Sequence, residues 1–388
     1  MYMRTLRDIP TLQNIPVLVR SALNVPVQEG VVTNDYRLRG ALPTIRFLAE
    51  RGARVILISH LGDNGTETLE PVAGALRTFI PHLAFCNETV GENAHAAIRT
   101  LPAGGVLMLE NLRRSPGEVA NDAAFAKELA ALADMFVQDC FDTCHRTHAS
   151  IIGVPKLLPS YGGFLLEEEV AALGSALSPE HPALAVVGGA KFATKERVLD
   201  TLLAVYDRVF VGGALADDFL KAQGHEVGKS LVSGTDADKI RKLLENPKLV
   251  LPLDVRVIPA SAVGAMDAYH QLRVADASDV HANEVILDVG PATSTLLTEL
   301  AKGSRTILWN GPLGNYENGF TDATDALARA IAAAGVHSVV GGGDTVASIE
   351  SMGLIPRFSF VSTGGGAMLE FLAQGSLPGI AALENGGL

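Results

Sequence analysis

This sequence predicts an α/β fold of two lobes joined by a hinge helix. Each lobe is expected to be a doubly wound parallel sheet of Rossmann type. Short apolar runs alternate with longer segments of helical period along the whole chain, which is typical of parallel sheets covered by helices. A chain of 388 residues is also too long for one ordinary core, so we expect two domains.

The apolar runs mark the predicted strands, and segments such as 37–52 and 121–133 are the helices between them. The predicted strands of the first half are 14–20, 54–60, 82–86, 105–110 and 135–139. Those of the second half are 183–189, 208–213, 248–255, 284–290, 305–311, 337–343 and 357–363.

The domain boundary is predicted in the segment 160–182. Glycines precede a helical stretch there, and Pro179 and Pro182 end it just before a new strand. We therefore expect an N-terminal domain of residues 1–163 and a C-terminal domain of residues 164–375. Residues 376–388 are expected to pack back on the N-terminal domain.

Composition excludes several classes of protein. A formal net charge of −12 argues against a general binder of nucleic acid or anionic membranes, because the global field repels polyanions. No apolar run approaches the ~20 residues of a membrane span, and the first residues lack the apolar core of a signal peptide. Three cysteines are too few for a disulfide framework. We expect a cytoplasmic protein.

Basic and polar residues follow the predicted strands of the first half. In an open parallel sheet, ligands bind beyond the carboxyl ends of the strands. Several arginines at one sheet edge predict a pocket for a small anion, since guanidinium groups bind carboxylate and phosphate through paired hydrogen bonds. The candidate residues are Arg20, Asn24, Arg37, His60, Arg113, His145 and Arg146.

Glycine-rich turns follow the predicted strands of the second half. Glycine lets a phosphate approach the backbone, and the helix that follows points amide groups and its positive dipole end at the anion. One such turn also occurs for steric reasons, but six in succession favour a nucleotide site. The turns contain Gly188, Gly189, Gly212, Gly213, Gly290, Asn310, Pro312, Gly341, Gly342, Gly343, Thr345, Gly365 and Gly366.

Three charged residues extend that prediction. Lys191 and Lys195 are four residues apart at the start of a helix, so both are expected to reach the same phosphates. Asp344 follows three glycines at a strand end, where a carboxylate near phosphates predicts a Mg²⁺ ligand. A helix N-cap is an alternative role for Asp344, and the two roles are compatible.

In sequence order, these motifs resemble the phosphoglycerate kinase family over nearly the whole chain. The resemblance implies reversible phosphoryl transfer between MgATP and the carboxylate of 3-phosphoglycerate, on two doubly wound lobes. Its segments are Arg20–Pro26, Ser59–Gly62, Leu109–Arg113, Asp142–Ser150, Val186–Lys195, Trp309–Gly314, Gly341–Thr345 and Ser362–Glu370.

The resemblance also implies residue roles. Arg37 would be the catalytic arginine on the transferred phosphoryl group, and Gly365 and Gly366 would present helix amides to that group. The residues implied around phosphoglycerate are Asn24, His60, Arg113 and Arg146, with Arg20 in the same basic region. On the nucleotide side they are Lys191 and Lys195 on the phosphates, Glu317 on the ribose, Asn310 near the nucleotide and Asp344 on magnesium.

The chain departs from the family pattern mainly on the acceptor side. Ala22 stands where the family has an aspartate, and Asp63 stands where the family has an arginine. Asp142 replaces a usual glycine, and Arg114 a usual aromatic residue. On the nucleotide side, the departures are Ala214, Asp217, Asp218 and Asn315.

These departures keep two alternatives to a phosphoglycerate kinase open. One is an acyl-phosphate kinase of the same fold for a different small carboxylate, and the other is a nucleotide-binding regulatory protein with weak turnover. Because the basic and glycine-rich sites are predicted on separate lobes, hinge closure on binding both substrates is also predicted. The resemblance implies a monomer.

Overall fold

The computed structural model describes residues 3–9, 11–190, 192–234, 237–265 and 268–385. The chain forms two compact units, divided between Ala171 and Ala172 and again between Gly375 and Ser376. The segment after Ser376 therefore groups with the first unit. A search of the described residues finds no helix with the length and apolar character that a membrane crossing requires.

The first unit is built around one six-stranded parallel sheet, in the order β5-β6-β4-β1-β7-β8. The strands of this unit are β1 (Pro16–Ser21), β2 (Val27–Gln28), β3 (Val31–Val32), β4 (Arg54–Ile58), β5 (Ala84–Phe85), β6 (Val106–Met108), β7 (Met135–Asp139) and β8 (Ser160–Gly162). The helices are α1 (Tyr36–Glu50), α2 (Glu70–Leu76), α3 (Glu92–Thr100), α4 (Pro116–Val119) and α5 (Ala123–Ala130). The next helix, α6 (Phe164–Ala176), begins in this unit and ends in the second.

Central strands of this sheet are buried on both faces, as their continuous apolar runs predict. Val17, Val19, Val55 and Leu57 are fully buried in one cluster, which the apolar face of α1 joins through Ile45. The five strands predicted in the first half are confirmed in the sheet. The edge strand β8 and the small hairpin of β2 and β3 were not predicted, because none of them lies in a continuous apolar run of the kind that marks the other strands.

The second unit has a six-stranded parallel sheet in the order β11-β10-β9-β15-β16-β17. The strands of this unit are β9 (Ala183–Val187), β10 (Arg208–Val211), β11 (Leu249–Val250), β12 (Asp254–Pro259), β13 (Arg273–Asp276), β14 (Glu284–Val289), β15 (Thr306–Asn310), β16 (His337–Gly341) and β17 (Phe360–Val361). The helices are α7 (Glu196–Val205), α8 (Ala214–Ala222), α9 (Ala237–Leu244), α10 (Pro291–Gly303), α11 (Asp322–Ala334), α12 (Gly343–Ser351) and α13 (Gly365–Gln374).

A separate antiparallel sheet of β13, β12 and β14 interrupts this parallel pattern. The run 248–255, predicted as one strand, divides at Pro252 into β11 of the parallel sheet and the start of β12. Proline lacks the N–H that a ladder needs, which explains the division. The predicted strand at 284–290 is a strand, but it belongs to the antiparallel sheet. The predicted α/β class with parallel sheets is confirmed.

The last described helix, α14 (Pro378–Asn385), packs on the first unit. Gly379 donates its backbone N–H to the carbonyl of Cys144 at 2.8 Å. A Cβ on Gly379 would lie 3.0 Å from the Cys144 sulfur, so only glycine allows the helix this close. The end of the chain thereby supports the loop that follows β7.

Candidate functional site

Arg20 lies at the end of β1 beside His60, and its predicted contact with a ligand stays a prediction. It is 1% exposed, in β1. Its Nε donates to Ser150 Oγ at 3.1 Å, and its Nη2 donates to His60 Nδ1 at 2.9 Å. Because the Arg20 guanidinium donates these hydrogen bonds to groups inside the protein, it is better placed to hold His60 than to contact a ligand. We therefore interpret Arg20 as a positioning residue.

His60 is held in one tautomer by this contact. Arginine has only donors, so His60 Nδ1 must accept and its proton lies on Nε2. Burial, and then the charge of Arg20, hold the pKa of His60 well below its usual value. A neutral imidazole with its proton on Nε2 can donate a hydrogen bond to an anion across the neutral pH range.

Arg37 lies in the first turn of α1, where it ties two strand-end loops together. Its Nη1 donates to the backbone oxygen of Asn24 at 2.6 Å and lies 3.3 Å from an oxygen of Asp142. The side-chain oxygen of Asn24 accepts from the backbone N–H of Gly62 at 3.2 Å. Residues that follow β1 and β7 therefore meet at Arg37, and the loop after β4 joins them through Asn24, as the parallel sheet predicts.

Arg113 is paired with an acid of the chain. Its Nη1 lies 2.6 Å from an oxygen of Asp63, whose side chain is 95% exposed while that of Arg113 is 10% exposed. The neighbouring Arg114 turns away, and its Nη1 pairs with Glu110 at 2.8 Å. Asp63 and Asp142, both departures from the family pattern, thus each contact an arginine predicted to bind substrate.

The predicted basic residues converge on two histidines. The charges of Arg20, Arg113 and Arg37 all act on His60. Burial, and the charges of Arg113, Arg20 and Arg146, lower the pKa of His148 to about 4. We call Arg37, His60, Arg113 and Arg146 the basic cluster. His148 itself was not predicted.

Three buried polar residues that sequence reasoning missed hold the loops of the basic cluster. Glu110 accepts from the backbone of Leu69 and Asn111, and Asn111 bonds both the N–H and the carbonyl of Leu61. Glu118 accepts from the backbone and hydroxyl of Ser150. Buried acids at or near strand ends are the signal that could have identified them, since such groups need donors.

Ala22 is fully buried in the same unit. It packs in a small apolar cluster with Cys140 and Leu165. An aspartate here would place a carboxylate in apolar surroundings unless its neighbours also changed. The departure at Ala22 is therefore matched by its surroundings.

The glycine-rich turns of the second unit pack directly against one another. A Cβ on Gly213 would lie 2.8 Å from the backbone nitrogen of Gly189, and a Cβ on Gly311 would lie 2.6 Å from the carbonyl carbon of Gly188. A Cβ on Gly342 would lie 3.1 Å from the nitrogen of Gly311. These glycines are thus needed for close packing of neighbouring strand ends, which is a structural reason beside the ligand-binding one.

Two other glycines face open space. The N-termini of α12 and α13 meet where a Cβ on Gly365 would lie 3.3 Å from the Cα of Gly342. At Gly343 and Gly366, the next residues of these helices, no described atom other than those of the adjoining residues and the helix's own backbone lies within 4 Å of an added Cβ. The first turns of two helices therefore present backbone amides beside unfilled space, which suits a phosphate.

A cavity of about 400 Å³ lies against the turns that follow β9, β10 and β15 and against the first turn of α12. Gly189, Gly213, Pro312, Glu317 and Asp344, all predicted, line it. Most other lining residues are apolar and were not predicted, because nothing in their local sequence separates them from core residues. They include Leu220, Leu231, Val255, Ile286, Leu287 and Leu313. Glycine turns beside an apolar wall suit a nucleotide.

Charged residues stand beside this cavity. The Lys195 ammonium lies 3.2 Å from the position of a Cβ on Gly189. Burial, and then the charge of Glu317, raise the pKa of Asp344. Lys191 lies outside the described residues.

Asn310, Thr345 and Gly290 were also predicted for the nucleotide site. The side-chain amide of Asn310 donates to Met368 Sδ at 3.4 Å, and Thr345 is buried in α12. Gly290, by contrast, makes room for a carboxylate of the protein: an added Cβ would lie 2.2 Å from Asp254 Cγ. Asp254 accepts from the N–H groups of Ala292 and Thr293. The N-terminus of α10 is thus capped from within the protein, so Gly290 gains no support as a ligand residue.

Comparisons with known proteins agree with one another. The family model described as phosphoglycerate kinase matches residues 6–375. The chain is 43% identical over 392 residues to the phosphoglycerate kinase of Moorella thermoacetica, covering 98% of each chain. It is 45% identical over 393 residues to the phosphoglycerate kinase of a Thermus thermophilus strain, covering 98% of this chain and 100% of that protein.

Solved structures of similar proteins cover nearly the whole chain as well. Phosphoglycerate kinase from Coxiella burnetii superposes with a TM-score of 0.83 at 39% identity, covering 99% of each chain. The crystal structure of phosphoglycerate kinase from Pyrococcus horikoshii OT3 gives a TM-score of 0.87 at 31% identity, covering 98% of each chain.

Proposed function

The chain belongs to the phosphoglycerate kinase family, and we propose that it is the ATP:3-phosphoglycerate phosphotransferase of glycolysis and gluconeogenesis. The reaction exchanges a phosphoryl group between ATP and the carboxylate of 3-phosphoglycerate, giving ADP and 1,3-bisphosphoglycerate. The observation that carries the proposal is the meeting of the α12 and α13 N-termini beside open space at Gly343 and Gly366.

The nucleotide half of the reaction is assigned to the second unit. We propose that the first turn of α12 and Lys195 bind the phosphates, while the apolar wall that includes Leu313 contacts the base. Backbone amides of Gly365 and Gly366 would stabilise the charge on the transferred phosphoryl group. Fixed donors suit this chemistry, because phosphoryl transfer needs positioning and electrostatic stabilisation more than covalent participation.

Magnesium fits the residues on this side. Asp344 and Glu317 are close enough for Glu317 to raise the pKa of Asp344, so a cation between or beside them would relieve repulsion. Carboxylate oxygens are the ligands Mg²⁺ prefers, and it usually takes one or two of them plus phosphate oxygens. We propose Asp344 as the protein ligand. Bound Mg²⁺ would neutralise phosphate charge.

The acceptor half is assigned to the basic cluster of the first unit. We propose that Arg113, Arg146 and the His60 Nε2–H bind 3-phosphoglycerate, with Asn24 in the adjoining loop. Arg37 would contact the transferred phosphoryl group, and Arg20 would hold His60 in its donor tautomer. A cytoplasmic monomer is part of the same proposal.

A coupled assay with MgATP and 3-phosphoglycerate tests the proposed function. We expect turnover within about tenfold of the ~10 s⁻¹ enzyme median, and loss of most activity in Lys195→Ala. Glycerate and acetate, offered in place of 3-phosphoglycerate, test the alternative of another carboxylate acceptor. Tight ADP binding without turnover on 3-phosphoglycerate would overturn the proposal.

A further inference from the structure

One acidic side chain in the wall of the nucleotide cavity has no function in the mechanism proposed above. Asp217 lines the cavity and is 1% exposed. Among the residues that the structure describes, its Oδ1 has no hydrogen-bond partner. Leaving a buried carboxyl oxygen without a donor costs stability, so this group requires an explanation.

Its place on α8 puts Asp217 at the apolar part of the cavity. The helix begins at Ala214, after the N-cap Gly213, and Asp217 lies about 4.5 Å further along the axis at 1.5 Å per residue. Leu220 follows three residues later on the same helix face and also lines the cavity. Gly213 belongs to the phosphate-binding turns, so Asp217 lies between the phosphate turns and the apolar wall.

Nearby acids are already used by the protein. Asp218 accepts from the backbone and hydroxyl of Ser233, both at 2.8 Å. Asp288 also lines the cavity, but its oxygens accept from the N–H groups of Val289 and Ala323. Asp217 is therefore the buried cavity acid that retains hydrogen-bonding capacity within the described part of the chain.

We propose that Asp217 recognises the nucleobase: its carboxyl group forms hydrogen bonds with the 6-amino edge of adenine. This inference rests on the proposed function, because it takes the cavity to be the nucleotide site. Burial, and then the charge of Asp218, raise the pKa of Asp217 well above its usual value, which favours the neutral acid. A neutral carboxyl offers one donor and one acceptor, and adenine presents an amino donor beside a ring-nitrogen acceptor.

The test is calorimetric binding of ADP and of purine riboside 5′-diphosphate, which lacks only the 6-amino group. We expect the wild-type protein to bind ADP about tenfold more tightly, the value of one good hydrogen bond in a buried site. Asp217→Asn keeps a donor and an acceptor in the same shape and should keep most of this preference. Asp217→Leu fills the space without hydrogen bonding and should reduce the preference to about twofold or less.

Two results would overturn the inference: equal binding of both nucleotides by the wild-type protein, or an undiminished preference in Asp217→Leu. Loss of the preference in Asp217→Asn would likewise contradict a donor–acceptor pair. Binding is measured without 3-phosphoglycerate, so its outcome is independent of turnover. If the protein phosphorylates 3-phosphoglycerate but binds the two nucleotides equally well, only this inference is contradicted. If it prefers ADP but shows no turnover, only the proposed function is contradicted.

Discussion

As proposed, the basic cluster and the glycine turns would bind anions by opposite means. In the first unit, the donors are side chains, and two of them already contact acids of the protein: Arg37 with Asp142, and Arg113 with Asp63. In the second unit, the donors are backbone amides at helix N-termini, fixed by contacts between neighbouring glycine turns. One site is held by charge balance and the other by steric packing.

This difference decides how each site responds to mutation. A single charge substitution can change the anion affinity of the basic cluster, because its net charge depends on a few side chains. The glycine turns contain no side chain to exchange, so an added methyl group either breaks the packing or blocks the ligand. Sequence departures from the family pattern are correspondingly larger in the first unit, at Ala22, Asp63 and Asp142.

Arg37→Ala should have the largest effect. Removing a cation that stabilises transferred charge costs on the order of 10³-fold in kcat. The matched control is Arg39→Ala, two residues further on α1, where an exposed arginine pairs with Asp35 at 2.7 Å. Steady-state kinetics of both variants measure the difference. A loss of less than tenfold in Arg37→Ala would show that charge in the basic cluster is not used for catalysis.

Gly343→Ala tests the backbone site. Apart from the adjoining residues and the backbone of α12, no atom in the described part of the chain lies within 4 Å of the added methyl group, so the fold should keep its melting temperature or gain slightly from reduced backbone freedom. If phosphates approach this turn, the methyl group blocks them, and the dissociation constant of ADP should rise about 10- to 100-fold, or roughly 1.4–2.8 kcal/mol.

The control for that variant is Gly74→Ala in α2, which also has no atom within 4 Å of the added Cβ. It should leave ADP affinity unchanged. Unchanged affinity in Gly343→Ala as well would mean that the open space at this turn is not where phosphate binds, and the contrast between the two units would lose its basis.

Most of the fold could be read from the sequence, and the exceptions share a cause. Buried parallel strands such as β1 and β15 are continuous apolar runs, which predict them directly. The antiparallel sheet was missed because β12 and β13 carry charged residues such as Arg256 and Arg273 within short runs. Those arginines pair with Asp322 and Glu284, partners that are distant in sequence or in another strand.

The candidate site divides in the same way. Residues that follow strands, such as His60 and Arg113, could be predicted because topology gathers strand ends. The burial of Arg20 could not, since it depends on Ser150 and His60 from two other loops. The contact of Asp254 with the Gly290 turn could not be predicted either, because the local sequence does not reveal that Asp254 caps the following helix.

The buried carboxyl group of Asp139 makes the folding stability of the first unit depend on pH. Asp139 ends β7, just before the loop of Asp142, and burial raises its pKa to about 8 from 3.8. Between these values the folded protein keeps a proton that the unfolded chain releases, so rising pH favours unfolding by on the order of 1 kcal/mol per pH unit. Asp139→Asn lacks this titration, and its Oδ1 can still accept from the N–H of Leu165.

Urea unfolding of both proteins at pH 5, 6 and 7 measures the effect. The free energy of unfolding of Asp139→Asn should increase relative to the wild-type value at each step. A difference that stays constant with pH would mean that Asp139 is ionised in the folded protein, and that a charged acid is tolerated beneath the basic cluster.

Asp63→Asn should have the smallest effect on kinetics. It tests whether the ion pair between Asp63 and Arg113 weakens binding of 3-phosphoglycerate. Asp63 is 95% exposed, and exposed ion pairs contribute about 0.2–1 kcal/mol, so releasing Arg113 should lower the KM for 3-phosphoglycerate by at most about fivefold. High salt should shrink the difference, because it screens exposed charges. Asp35→Asn breaks a similar exposed pair with Arg39 and should leave KM unchanged. A higher KM in Asp63→Asn would mean that Asp63 holds Arg113 in its binding orientation; the acid would then be part of the acceptor site and not a competitor for it.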